Sequence, residues 1–192
     1  MGKNITKEII LKAGNVKIPG FLCLPESMGP FPVVIVFHGS DGFKPNHAEI
    51  AEKLAKEGFA ALAPTWFGGD PARPHWDTVR PDDILTAVTW LKQQSKIDLN
   101  HFGLMGFSRG GGLAVIFGAL VPETKAIVNY FGPKASEFTL RIGRVSAERS
   151  VSDQSAVFGL TGLALRLLPT NLQIKMVLNN MVSTFRRLAA KA

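Results

Sequence analysis

Apolar residues along this chain fall into short runs separated by glycine- and proline-bearing turns, and their spacing switches between a period of two and one of 3.6. Residues 5–11 alternate weakly, Gly14-Asn15 turns, and residues 16–24 are again apolar, which predicts a hairpin ending at Pro25. After a Pro/Gly loop, the run VVIVF at 33–37 is continuous and β-branched, the pattern of a strand buried on both faces of a parallel sheet. A helix is predicted over about 47–57, with Ile50, Ala51 and Leu54 on its apolar side, and Gly58 ends it before a strand at 59–63. Residues 84–94 predict a second helix with Leu85, Val88 and Leu91 in the core. Residues 102–107 predict a strand, 113–120 a helix and 126–131 another buried strand. Strands alternating with helices imply one α/β domain around a mostly parallel sheet with helices on both faces.

Two stretches break this regularity. Residues 64–81 form a long irregular segment carrying Trp66, Gly68-Gly69, Pro71, Pro74 and Trp76; its Arg73 and Arg80, with Arg109, could attract a substrate carboxylate or simply be solvated. It leaves the carboxyl end of a predicted parallel strand, where open α/β sheets bind ligands, so it reads as a wall of a substrate site or as a surface loop whose tryptophans pack. The second stretch is HFGLMGFSRGGG at 101–112. Strand, sharp turn and helix meet there with Ser108 at the apex, in the pattern G-x-S-x-G. Such an elbow pushes a serine hydroxyl above the sheet in a strained backbone conformation. Gly106 and Gly110 flank the serine where strand and helix must pass in contact. The plainer alternative is a glycine-rich turn with an incidental serine.

Composition narrows the choices. The 192 residues are 46% hydrophobic and 19% charged, which is globular rather than disordered. No run of 18 apolar residues predicts a membrane span, and the first residues carry no secretory signal. A myristoylation-like start at Met1-Gly2 is too short a pattern to weigh. The expectation is a cytoplasmic protein. The single Cys23 excludes a disulfide framework, and four scattered histidines do not suggest a metal cluster. The net charge of +7 is uneven: residues 1–132 hold 13 Lys+Arg against 12 Asp+Glu, and residues 133–192 hold 9 against 3. With the charge concentrated in the tail and no recognition motif, no nucleic-acid partner is expected.

The strand ending in Phe37-His38-Gly39, the segment HAEIAEKLAKEGFAALAP and the elbow GFSRGG together resemble the α/β-hydrolase fold, and within it the dienelactone hydrolase family, over about residues 5–132. The resemblance implies hydrolysis of a small ester, lactone or thioester through an acyl-enzyme, without metal or organic cofactor. It implies that Ser108 is the nucleophile, where dienelactone hydrolases usually carry cysteine. It implies an oxyanion hole from the backbone N–H groups of Arg109 and Ser40, shaped by His38 and by Gly39, where the archetypal enzymes carry glutamate. The fold's order of serine, acid, histidine is not completed, because no histidine follows His101. Beyond residue 132 the acids are Glu137, Glu148 and Asp153, with Asp153 the best positional candidate. His38, His75 or a histidine from another subunit could supply the base.

The tail from about residue 133 lacks the family's strand-acid and strand-histidine pairs, and reads as a diverged, truncated or out-of-frame replacement. Within it, Ile174, Leu178, Met181, Phe185 and Leu188 form one helical stripe, of a helix that packs on the sheet or lies on a membrane surface. The alternative to an enzyme is a catalytically inactive protein of this fold that binds a ligand or partner, or is a remnant. The sequence does not indicate an oligomeric state.

Overall fold

The computed structural model describes residues 4–130 and 156–160. The hairpin consists of β1 (Asn4–Ala13) and β2 (Val16–Pro25), antiparallel from Asn4 opposite Pro25 to Ala13 opposite Val16. Then come β3 (Phe31–Phe37), α1 (Pro45–Lys56), β4 (Ala60–Pro64), a 3-10 turn (Trp76–Thr78), α2 (Pro81–Lys92), β5 (Ile97–Phe107), α3 (Arg109–Leu120), β6 (Thr124–Tyr130) and β7 (Ala156–Leu160). These strands form one sheet in the order β1-β2-β4-β3-β5-β6-β7. The hairpin joins β4 antiparallel, and every pairing from β4 to β7 is parallel.

The β-branched run in β3 is buried on both sides, as its composition predicts. Val33, Ile35 and Phe37 face one apolar layer, and Val34 and Val36 face the other. Helix α1 covers the second layer with Ile50, Ala51 and Leu54, while α2 and α3 cover the first with Ile84, Leu91, Leu113 and Phe117. Pro45 and Pro81 start their helices because their fixed φ suits a first turn that needs no N–H donor.

Two expectations need correction. Leu85 is 44% exposed, and the buried face of α2 is Ile84, Ala87, Val88 and Leu91, spaced i, i+3, i+4, i+7. Leu85 is rotated about 100° from Ile84 and leaves the core. The tail, read without a strand, contributes β7, which pairs parallel with β6 from Ala126 opposite Ala156 to Tyr130 opposite Leu160. A five-residue run inside Ser/Arg-rich sequence has no periodicity to announce it, and the open edge of β6 supplies its pairing. The stripe over residues 174–188 lies outside the described residues.

Candidate active site

The site is built at the carboxyl ends of β3, β4, β5 and β6. Ser108 links β5 to α3 at φ 50°, ψ −121°, and is the one non-glycine residue with positive φ among the described residues. L-residues avoid this region because Cβ crowds the backbone. Hydrogen bonds hold it there: Ser108 N–H donates to Tyr130 C=O at 2.8 Å, and Ser108 C=O accepts from Gly111 N–H at 2.9 Å. The side chain is left exposed.

The flanking glycines let three chain segments meet at the elbow. A Cβ at Gly106 would collide with the Gly110 carbonyl. One at Gly110 would collide with the His38 carbonyl and lie 2.6 Å from that of Phe37. The start of α3 is therefore seated on the end of β3. This contact brings the loop after β3 to the serine, since a Cβ at Gly39 would lie 3.6 Å from Ser108 Cβ.

Ser40 stands in the turn closed by Gly42 N–H to Gly39 C=O at 3.1 Å, a bond that does not use its own amide. Arg109, first residue of α3, carries one of the N–H groups that have no partner within the helix. Arg109 thus adjoins the serine at a helix N-terminus whose dipole favours negative charge.

His38 is 1% exposed. Its Nε2 accepts the Trp66 backbone N–H at 3.0 Å, so Nδ1 carries the proton and donates to Gly39 C=O at 3.0 Å. Burial lowers its pKa to about 4, so the ring is neutral in the folded protein. Both nitrogens are occupied in fixing the two loops that border the serine. This corrects the expectation that His38 could supply a base, because its one lone pair is taken. His47 is buried beside Phe107, with Nδ1 accepting Lys44 N–H at 2.9 Å. His101 lies in the first half of β5, seven residues before Ser108, with Nδ1 bonded to Asp98 at 2.6 Å. His75 is exposed and lines a cavity of about 250 Å³ with Ser40, Asp41, Phe67 and Trp76. Asp153 lies outside the described residues.

The long segment after β4 turns back over this region. Trp66 is fully buried and stacks on Phe37, and the Arg109 guanidinium lies 4.4 Å above the Trp76 ring. Arg73 is not a free cation for a substrate. It is 8% exposed and grips Asp83 through Nε at 2.8 Å and Nη2 at 3.0 Å. Sequence reasoning missed the partnership with Asp83. Its only signal was an acid at the third position of a Pro-started helix, which also fits a simple cap. Among the described residues no His/Cys/Asp/Glu group could hold a metal ion, and no helix is long and apolar enough to cross a membrane.

Known proteins resemble this chain in sequence and in fold. A Synechocystis protein provisionally named carboxymethylenebutenolidase is 28% identical over 136 residues, covering 62% of this chain and 55% of its own length. Mouse acyl-coenzyme A thioesterase 1 is 27% identical over 130 residues, 68% of this chain and 30% of that protein. The chain thus spans less than two thirds of these curated relatives. The crystal structure of a dienelactone hydrolase from Anabaena variabilis superimposes with a TM-score of 0.66 at 18% identity, covering 96% of this chain and 98% of that one, a likeness of fold. The family model for dienelactone hydrolases itself matches residues 18–155, a span that runs from the hairpin past the elbow. The chain belongs to the dienelactone hydrolase family.

Proposed function

We propose that this protein is a serine hydrolase of the dienelactone hydrolase type, acting on a small ester, lactone or thioester. The observation that carries the reading is Ser108 itself, held at positive φ on a glycine-cleared junction with its side chain open. Strain of this kind persists where surrounding structure enforces it, and here it presents a nucleophile.

In the proposed reaction Ser108 Oγ attacks the carbonyl carbon as a base removes its proton. The tetrahedral oxyanion takes hydrogen bonds from the Arg109 and Ser40 amides, each worth about 100- to 1000-fold in rate in comparable sites. Collapse expels the alcohol or thiol, which takes up the proton, and water then releases the acid from acyl-Ser108. His75 is the proposed base, because it is exposed in the cavity that Ser40 lines while the lone pair of His38 is committed.

One observation favours a second reading, ligand binding without turnover: no histidine follows Ser108, and His38, His47 and His101 are each tied to other groups. Labelling by a fluorophosphonate decides between the two. Covalent labelling that disappears in Ser108→Ala supports the hydrolase, and its further loss in His75→Gln supports the base. A folded protein that resists labelling supports binding alone.

A further inference from the structure

Residues 65–80 look, by length and glycine content, like a lid. Their bonding is that of a fixed wall. Within the segment Gly68 N–H donates to Arg73 C=O at 2.6 Å, and Arg73 N–H to Asp70 C=O at 2.9 Å. Beyond Trp66, which bonds His38 and Val36 and stacks on Phe37 at the end of β3, three further tethers join it to separate elements. Asp70 Oδ2 accepts the Lys17 N–H of β2 at 3.0 Å. Trp76 stacks under Arg109, the residue after Ser108. Between these two ties, Arg73 inserts into the protein and meets Asp83 in the first turn of α2.

That third tether differs in kind. Asp83 is fully buried, and its carboxylate accepts Arg73 Nε, Arg73 Nη2 and the Arg80 N–H at 2.8, 3.0 and 2.8 Å. A two-pronged guanidinium contact fixes orientation as well as distance, which a lysine ammonium does not. Opening the segment would leave a buried carboxylate without its counter-ion. The segment is therefore held in place by contacts within the protein itself.

We propose that Arg73, clamped by Asp83, is a positioning residue that fixes residues 65–80 as a preformed wall, with Trp76 against Arg109 as the surface that selects substrates by size. The selectivity part rests on the reading of Ser108 as nucleophile; the rigidity part does not. Trp76 is the specificity-determining side chain, and Arg73 acts through it.

Hydrogen exchange read by mass spectrometry on the full chain, paired with hydrolysis of p-nitrophenyl acetate and p-nitrophenyl octanoate, tests this. Arg73→Met is expected to raise amide exchange in residues 65–80 at least tenfold and leave α1 and α3 unchanged. The octanoate-to-acetate ratio of kcat/KM should shift at least fivefold, mostly through KM. Trp76→Ala should reproduce the ratio shift while the Gly68 and Arg73 amides stay protected, and Arg73→Lys should fall between Arg73→Met and the parent. If Arg73→Met does not fold, Arg73→Lys carries the comparison. Unchanged exchange in the segment, or a rise spread evenly over the protein, overturns the positioning role. A loosened segment with an unchanged ester ratio overturns the selective wall. If the parent protein hydrolyses neither ester, the hydrolase reading falls, while the exchange result still decides the role of Arg73.

Discussion

The strain at Ser108 has a measurable size. At φ 50°, ψ −121° the residue occupies a region that glycine enters freely and L-residues enter at a cost of about 1–3 kcal/mol. Replacing Ser108 by alanine removes the hydroxyl and keeps the cost. Replacing it by glycine removes both, but glycine adds about 0.4–1 kcal/mol of unfolded-chain entropy. With strain near 2 kcal/mol, Ser108→Gly is expected to be about 1 kcal/mol more stable than Ser108→Ala. In a chain of this length that difference raises Tm by about 3 °C.

Urea unfolding and thermal melts of the two variants measure it. The exposed Ser95, which has no positive φ, gives the control pair. There the glycine variant should be the less stable, by about 0.4–1 kcal/mol. If the Ser108 pair shows the same sign as the Ser95 pair, the backbone at Ser108 is not strained, and the argument that strain marks a nucleophile collapses.

Other outcomes follow from the same contacts. Gly110→Ala forces a methyl against the Phe37 and His38 carbonyls, which are backbone and cannot swing away; a loss of at least about 2 kcal/mol in urea unfolding is expected, with fluorophosphonate labelling abolished. His38 is neutral when folded, with a pKa of about 4, whereas the unfolded chain binds its proton near 6.5. The fold is therefore favoured fully above pH 6.5. This advantage declines by about 1.4 kcal/mol per pH unit as pH falls toward 4, in total about 3 kcal/mol. His38→Gln should show a flatter stability profile between pH 6.5 and 4; a parallel profile would refute the assignment. On α2, Leu85→Glu should change stability by less than about 0.5 kcal/mol, and Leu91→Ala should cost about 2–5 kcal/mol, both read by urea titration.

The sequence by itself determined the elements whose cause is local. VVIVF needed only its composition to read as a doubly buried strand, and apolar residues at helical spacing located the helix over 84–94. The spacing Gly106-x-Ser108-x-Gly110 located the elbow, because the residues that clear its contacts lie within two positions of the serine. The resemblance to dienelactone hydrolases rested on the same local patterns. Tertiary structure alone decided the facts that depend on partners distant in the chain. His38 became a loop anchor because Trp66, 28 residues away, presents its N–H there. Arg73 was withdrawn from any substrate role by Asp83, and β7 formed on an edge that β6 offers. Leu85 and Val88 are alike in apolar character, and only the direction in which α2 faces the sheet buries one and exposes the other. Periodicity records which residues share a face; the identity of what meets that face is set by the packing of elements far apart in sequence.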